Sequence, residues 1–226
     1  MKHSCKSSLL WKLILIAACT WGLLDGAGIT KGKYDPNFPH MFTNISNMFA
    51  LAYFVCAAVR LIALCRKHGE QGVDTGRPFA PVFKYTATVS LLVTMLIGHF
   101  MVFDAMMQDG HIVWHLVVMH YIVPIMALLD WLLFDEKGRM PLWGPFAWIS
   151  LGVGYLVFTM IAVGVFGLFM GGGTTADITP YPYTFLDPAI AGAGGVALFS
   201  AAMVAGFIVL GYVMVLADRL LGTCHR

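Results

Sequence analysis

Six stretches of about twenty apolar residues recur along the chain, and they limit its fold more strictly than any other feature. A hydrocarbon layer about 30 Å thick is crossed by roughly 20 helical residues. The six stretches cover residues 9–29, 41–65, 83–105, 112–134, 142–170 and 188–216. Of the 226 residues, 59% are hydrophobic and only 12% are charged, which is more apolar surface than a water-soluble globule can bury. We therefore predict an all-α integral membrane bundle of six transmembrane helices, with residues 1–226 forming a single domain.

Positive charge is concentrated on one side of the predicted membrane. Lys and Arg cluster at both termini and in the loops after helices 2 and 4, whereas the loops on the other side hold only Lys31 and Lys33. The first group comprises Lys2, Lys6, Lys12, Arg66, Lys67, Arg77, Lys84, Lys137, Arg139, Arg219 and Arg226. By the positive-inside rule, we predict that both termini are cytoplasmic. This asymmetry accounts for the net charge of +2, which therefore does not indicate a nucleic-acid partner.

The cysteines do not form a recognisable framework. They are odd in number, widely scattered and without a C-x-x-C pair: Cys5, Cys19, Cys56, Cys65 and Cys224. This pattern predicts neither a disulfide framework nor a zinc ribbon.

The sixth helix is rich in small residues, in the stretch "AIAGAGGVALFSAAMVAG". Small side chains allow helix backbones to approach each other closely in a membrane. We predict tight packing of this helix against its neighbours, or against a second copy of the chain in a homo-oligomer.

Polar residues inside the spans are concentrated toward the outer side of the bundle. Each ionisable group in a span costs roughly 2.5–3.5 kcal/mol at the helix centre, so each one requires an explanation. The alternation of the helices puts nine polar residues in the outer half of the membrane or at its surface. They are Asp25, Thr43, Asn44, Asn47, His99, Asp104, His115, His120 and Asp187. We expect one outward-facing polar cavity to hold most of them.

His120 lies about eight residues into the fourth helix, roughly 12 Å along its axis. Pro124 follows four residues later and cannot donate a hydrogen bond to the His120 carbonyl. We therefore expect a kink there, with room for water or substrate beside the imidazole. A neutral imidazole in this position can act as a general base. The alternative is a structural histidine that bonds to another helix.

The stretch "MFTNISNMF" opens the second helix. Thr43 and Asn47 are four residues apart and share a helix face, with Asn44 beside it. Thr43 or Asn44 could simply cap the helix. A cap alone does not account for Asn47, which lies deeper and carries both donors and an acceptor.

A histidine and aspartate set at the outer side offers a metal-site alternative. His111 and His115 have the i, i+4 spacing of zinc ligands, and His99 and Asp104 lie at the outer end of helix 3. The H-E-x-x-H motif is absent. On the opposite side we expect Asp130 to pair with Arg139 or Lys137.

Four short motifs, which occur along most of the chain, resemble a known family. They are "FTNISN", "MHYIVPIMALLDW", "GYLVF" and "YPYTFLD". They resemble the androgen-induced and androgen-dependent TFPI-regulating membrane protein family and its bacterial six-helix relatives. That family consists of intramembrane threonine hydrolases, which cleave fatty-acid esters of hydroxy fatty acids. The resemblance implies a multi-pass protein of a bacterial cytoplasmic membrane.

Matching the motifs residue by residue makes Thr43 the nucleophile and His120 its partner. The family's Tyr-Pro-Phe-Leu-acid segment is matched in part, because Thr184 replaces the proline before Phe185, Leu186 and Asp187. Further candidates follow from their expected positions. Asn44, Asn47, His115 and Tyr183 are candidate oxyanion donors, and Asp104 and Asp187 are candidates to orient His120.

The sequence thus predicts a hydrolase of membrane lipid esters that needs no cofactor. Two alternatives remain open. One is a metal-dependent membrane hydrolase built on His99, Asp104, His111 and His115. The other is a non-enzymatic lipid-binding or transport protein whose cavity only holds a ligand.

Overall fold

The computed structural model describes residues 3–68, 73–74, 76–101, 103–108, 110–171 and 179–223. Lys2, Cys224 and Arg226 lie outside these ranges. The long helices are α1 Cys5–Gly26, α2 Phe42–His68, α3 Pro81–Met101, α4 Trp114–Phe134, α5 Gly144–Gly164 and α6 Pro188–Thr223. All six are long and apolar enough to cross a membrane. The predictions of an all-α architecture and of a multi-pass membrane protein are therefore confirmed.

Three of the helices depart from regular α geometry. In α4, a π-helical turn at Val118–Ile122 separates the α-helical parts Trp114–Val117 and Val123–Phe134. The two parts of α5 are Gly144–Trp148 and Ser150–Gly164. In α6, Gly192 has a φ of 71°, which interrupts the helix near its start. A glycine adopts this backbone conformation without the steric cost that other residues meet.

Short strands and 3₁₀ turns lie in the connections at the two ends of the bundle. Strand β1 (His3–Ser4) pairs antiparallel with β2 (Val73–Asp74), so the N-terminus and the α2–α3 connection share one end, which we call the termini side. Strands β3 (Met107–Gln108) and β4 (His111–Ile112) form a hairpin between α3 and α4 at the opposite end, the site side. Within the described residues, the connections also contain the 3₁₀ turns Ile29–Lys31, Phe38–His40, Asp104–Met106 and Thr184–Leu186.

Helix α3 lies at the centre of the bundle. Protein buries 67% of its apolar window, against 22–44% for the other five spans. One core cluster joins it to α1, α2 and α4 and includes Leu15, Phe54 and Leu91. A second joins it to α4, α5 and α6 and includes Trp148 and Phe207. Side chains of α3 therefore reach both halves of the bundle.

Small residues in α6 have two kinds of surroundings. A Cβ at Gly211 would meet Pro145 of α5, so the two helices pack closely there. Gly192, Gly194 and Gly206 face open space instead. The tight packing predicted for residues 189–206 is therefore not made by these glycines within the chain, and the homo-oligomer stays a prediction.

Four buried charges form an ion cluster at the termini side. Asp130 of α4 accepts from Lys12 of α1 at 2.8 Å and from Lys84 of α3 at 2.6 Å. Lys84 also pairs with Asp135 at 2.6 Å. The expected pairing of Asp130 was wrong, because Arg139 bonds to Glu136 and Lys137 donates to backbone carbonyls. Helix packing brings α1 and α3 to Asp130 from far along the chain.

The structure contains one disulfide that the sequence analysis did not predict. Cys5 and Cys65, 60 residues apart, form a disulfide at the termini side. Antiparallel packing of α1 on α2 brings the start of the first helix beside the end of the second. Cysteine spacing carries no information about that contact.

Replacing Asp130 with Asn should destabilise the protein severely. The change leaves two buried lysines without their shared counter-charge, and breaking a buried ion pair from one side costs about 3–5 kcal/mol. We expect a large fall in the Tm of the detergent-purified protein. Glu136→Gln is the matched control, because its partners are exposed arginines and surface pairs contribute little. Equal Tm values for the two variants would refute the structural role of the cluster.

Candidate active site

Thr43 and His120 meet at the site side of the bundle. The Oγ1 atom of Thr43 lies 3.3 Å from Nε2 of His120, across 77 residues of sequence. Thr43 is the second residue of α2, and His120 lies in the π-helical turn of α4. His120 is 3% exposed. This distance is slightly longer than an ideal hydrogen bond between a hydroxyl and a ring nitrogen.

The other ring nitrogen of His120 fixes its tautomer. Nδ1 lies 2.9 Å from the backbone carbonyl oxygen of Leu116. A carbonyl only accepts hydrogen bonds, so Nδ1 carries the proton in this contact. The lone pair of a neutral imidazole is then on Nε2, which faces the Thr43 hydroxyl. The geometry therefore suits proton transfer from threonine to histidine.

The π-helical turn lies directly before Pro124, at the position where the sequence predicted a kink. Pro124 has no N–H to give to the His120 carbonyl. The helix widens instead, and the Val123 N–H donates to Val118, five residues earlier. π-helical turns of this kind occur frequently at functional sites.

Gly98 of α3 provides the space that the imidazole occupies. A Cβ at this position would overlap Cδ2 of His120 and come within 2.9 Å of its Cγ. Any larger residue would therefore push the ring away. Sequence reasoning missed Gly98, whose one visible signal is a glycine directly before His99 in an apolar helix.

A cavity of about 110 Å³ opens beside the pair. Its walls come from α2, α3, α4, α5, α6 and the segment before α6. The lining residues are Phe42, Thr43, Thr94, Ile97, Gly98, His120, Ile149, Gly152, Val153, Tyr155, Leu156, Tyr183, Phe185, Leu186, Phe199, Ser200, Met203, Val204 and Phe207. None of these residues is Lys, Arg, Asp or Glu. The cavity suits an uncharged, largely apolar group.

Tyr183 contacts the start of α2. Its hydroxyl accepts a hydrogen bond from the Phe42 N–H at 3.0 Å. The phenol keeps its own proton, because desolvation by burial raises the pKa of Tyr183, although hydrogen bonds from Phe42 and Thr43 act in the opposite direction. The O–H can therefore be donated to a group in the cavity. The positive end of the α2 dipole lies at the same place.

Asn44 and Asn47 use their amides on backbone carbonyls. Asn44 Nδ2 donates to Phe38 at 2.5 Å. Asn47 Nδ2 donates to Thr43 at 2.8 Å and to Met119 at 3.3 Å. Neither side chain lines the cavity. Asn47 instead joins α2 to α4 beside the two reactive residues, so its position suits alignment rather than oxyanion binding.

The remaining candidates have other partners. His115 Nδ1 contacts Asp25 at 3.0 Å, and His99 Nδ1 contacts the Tyr121 hydroxyl at 2.9 Å. Asp187 accepts from Thr179 and from the Ala189 N–H at the start of α6. Asp104 lies exposed at the site side. The structure does not bring His115, Asp104 or Asp187 into hydrogen-bond contact with His120.

The proposed metal ligands do not come together. His99, Asp104, His111 and His115 all belong to the described part of the chain. Within that part, no three His, Cys, Asp or Glu side chains form a group able to hold a metal ion. The bonds of His99 to Tyr121 and of His115 to Asp25 leave these two histidines in separate places.

Gly98→Ala should displace His120 without unfolding the protein. The added methyl group overlaps the imidazole, so the ring must turn away from Thr43. We expect the ¹⁵N NMR signals of His120 to shift in histidine-labelled protein. Gly154→Ala is the matched control, since a Cβ at Gly154 of α5 meets nothing within 4 Å. Unchanged His120 signals in Gly98→Ala would contradict the packing described here.

Comparison with known proteins adds no relative. No protein-family model matches the chain, and neither a curated protein nor a solved structure matches it. The assignment of function therefore rests on the geometry of the site and on the short motifs noted above.

Proposed function

We propose that the protein is an intramembrane hydrolase of lipid esters, with Thr43 as nucleophile and His120 as general base. One observation carries the proposal. The Thr43 hydroxyl faces Nε2 of a histidine whose Nδ1 is held by the Leu116 carbonyl, at the wall of an apolar cavity. Nucleophile, base and orienting group thus occur in one contiguous chain of contacts.

Proton transfer and bond exchange follow from this arrangement. His120 Nε2 removes the hydroxyl proton while Thr43 Oγ1 attacks the ester carbonyl carbon. The tetrahedral intermediate collapses, and the imidazolium returns the proton to the departing alkoxide. Water, activated by the same nitrogen, then releases the acid from the acyl-threonine. The Leu116 carbonyl holds the ring in one tautomer, the task an aspartate performs in many hydrolases.

Tyr183 and the start of α2 are suited to stabilise the oxyanion. The Tyr183 hydroxyl lies at the cavity wall and next to Thr43. A preorganised donor of this kind contributes roughly 3–4 kcal/mol to soluble hydrolases. The dipole of a long helix adds positive potential within its first turn. Of the candidate oxyanion donors, we prefer Tyr183 to Asn44 and Asn47, because the amides of the two asparagines donate to backbone carbonyls.

The cavity favours a neutral acyl ester as substrate. Its lining is mostly aliphatic and aromatic, and a charged group would be costly to desolvate there. Because of the motif resemblance, a fatty-acid ester of a hydroxy fatty acid is the first substrate that we would test. The carboxylate of such a molecule would have to stay outside the cavity, at the membrane surface.

The lipid-binding alternative uses the same cavity without chemistry. It requires an apolar pocket, which is present, but not the pairing of Thr43 with His120. It predicts bound lipid without turnover, and no difference between Thr43→Ser and Thr43→Ala.

Hydrolysis by purified protein in detergent tests the proposal. With a fatty-acid ester of a hydroxy fatty acid as substrate, Thr43→Ala and His120→Ala should each lower kcat by about 10²–10⁴-fold. Thr43→Ser keeps a hydroxyl and should retain much more activity. Released fatty acid measured by mass spectrometry gives the rates.

Thr88→Ala is the matched control for the nucleophile variant. Thr88 is buried in α3 and donates to the Lys84 carbonyl, away from the cavity. Its loss should leave turnover unchanged. Activity surviving in Thr43→Ala would eliminate the threonine mechanism, and loss of wild-type activity in chelator would favour a metal-dependent hydrolase.

We propose further that the termini side faces the cytoplasm of a bacterial membrane. The excess of Lys and Arg on this side supports that orientation. The Cys5–Cys65 disulfide suggests the opposite, because disulfides persist mainly in oxidising compartments. The charge bias is summed over many residues, whereas the cysteines are a single pair that can also exist as thiols, so we give the charge bias more weight.

Cysteine alkylation in cells tests this orientation. If the termini side is cytoplasmic, the Cys5–Cys65 disulfide of the structure should be reduced to two thiols in the cell, because glutathione keeps cytosolic cysteines reduced. Cells are quenched with one alkylating reagent, then reduced and treated with an isotopically heavy form, and the peptides are compared by mass spectrometry. Cys56, which is a free and exposed cysteine, serves as the internal standard. Heavy label on both Cys5 and Cys65 would reverse the proposed orientation.

A further inference from the structure

A second cavity lies at the termini side, at the opposite end of the bundle from Thr43. Its volume is about 60 Å³. Its lining residues are Lys12, Tyr53, Ala57, Arg60, Leu61, Leu64, Gly76, Arg77, Pro78, Phe79, Lys84, Phe134 and Asp135. Four of these are Lys or Arg, and Asp135 is the one acid among them. The proposed ester hydrolysis uses none of these residues.

Arg60 is the unusual member of this set. It lies within the candidate membrane span of α2, where an arginine is costly and calls for a partner. Its guanidinium group stacks over the ring of Phe79 at 5.2 Å. Among the described residues, no carboxylate pairs with it. The five N–H donors of an arginine are thus held at the cavity by an aromatic face.

The neighbouring acids are already engaged by other groups. Both oxygens of Asp130 accept from lysines. Asp135 accepts from Lys84 and from the Tyr85 hydroxyl. Glu136 is shared between Arg77 and Arg139. In the described part of the chain, these carboxylates therefore leave positive charge uncompensated at the cavity.

We propose that this cavity binds a phosphate group. Arg60 and Arg77 can each offer paired N–H donors, the geometry that suits phosphate oxygens. Lys12 has one ammonium proton beyond those it gives to Ser8 and Asp130. The cavity is assigned to a phosphate rather than a carboxylate because two arginines and a lysine converge on it, and a phosphate has enough oxygens for all three.

The cavity wall indicates the larger molecule that carries the phosphate. Leu64 of α2 lines the cavity and is 41% exposed, whereas Ala57 and Leu61 form its buried apolar wall. An acyl chain can lie along this face while the phosphate stays with the arginines. Basic pockets at the ends of transmembrane helices bind anionic lipid head groups in this way. A soluble phosphate would use the same donors and leave Leu64 uncovered.

Native mass spectrometry of the full-length protein tests the site. Detergent-purified protein is titrated with phosphatidylglycerol, with phosphatidylcholine as the neutral-head-group comparison, and separately with inorganic phosphate. The double variant Arg60→Gln with Arg77→Gln removes the donors. Arg219→Gln is the matched control, because Arg219 is an exposed arginine of α6 that does not line the cavity.

We expect phosphatidylglycerol to bind the wild type and the Arg219 variant equally, and to bind the double variant roughly tenfold or more weakly. Binding of inorganic phosphate that is lost in the double variant, without preferential binding of phosphatidylglycerol, would assign the site to a soluble phosphate. Equal binding of every probe by the double variant and the control would overturn the proposal.

A circular-dichroism melt of the double variant shows whether it folds. If it does not, the single variants Arg60→Lys and Arg77→Lys, which keep the charge but lose the paired donors, should each bind phosphatidylglycerol more weakly than the Arg219 control, and equal binding would overturn the proposal.

Discussion

The hydrogen bond between His120 Nδ1 and the Leu116 carbonyl determines what the site can do. It fixes the tautomer, and so decides which nitrogen faces Thr43. The bond depends on the π-helical turn that precedes Pro124, and the ring position depends on the missing side chain of Gly98. A charged orienting residue would have been expensive in the membrane. A backbone carbonyl does the same work without burying another ionised group.

The two ends of the bundle differ in their buried charge. At the site side, the cavity lining contains no charged side chain. At the termini side, Lys12, Lys84 and Asp130 are buried together, and each charge has a partner of the opposite sign. Helix α3 contributes to both ends, with Lys84 and Gly98 about 21 Å apart at 1.5 Å per residue. The ion cluster thereby anchors the helix that supports the imidazole.

Composition and the length of the apolar runs were sufficient to predict the six spanning helices, because a helix needs roughly 20 apolar residues to cross the bilayer. The motifs singled out Thr43 and His120, which the structure brings into contact across 77 residues. Their catalytic role stays a prediction. The sequence did not predict which residues would contact each other once the helices pack. The pairing of Asp130 with Lys12 and the Cys5–Cys65 bond both join residues whose separation follows no local pattern.

The hydrogen-bond partners of Asn44 and Asn47 were also not predictable from the sequence. The sequence shows that Asn47 has donors, but not that two backbone carbonyls already accept from them. Asp187 was one of two candidates to orient His120, and it accepts from Thr179 and from the Ala189 N–H at the start of α6 instead. Gly98 was overlooked because its importance lies in an absent side chain. What the sequence lacks in each case is the identity of the neighbour on another helix.

The bond from the Phe42 N–H to the Tyr183 hydroxyl joins two parts of the protein with different tasks. Tyr183 belongs to the segment before α6, which lines the cavity, and Phe42 begins the helix that carries Thr43. One hydrogen bond between residues 141 positions apart in the sequence therefore couples this part of the cavity wall to the first turn of α2. The shape of the cavity and the position of Thr43 thus depend on the same contact.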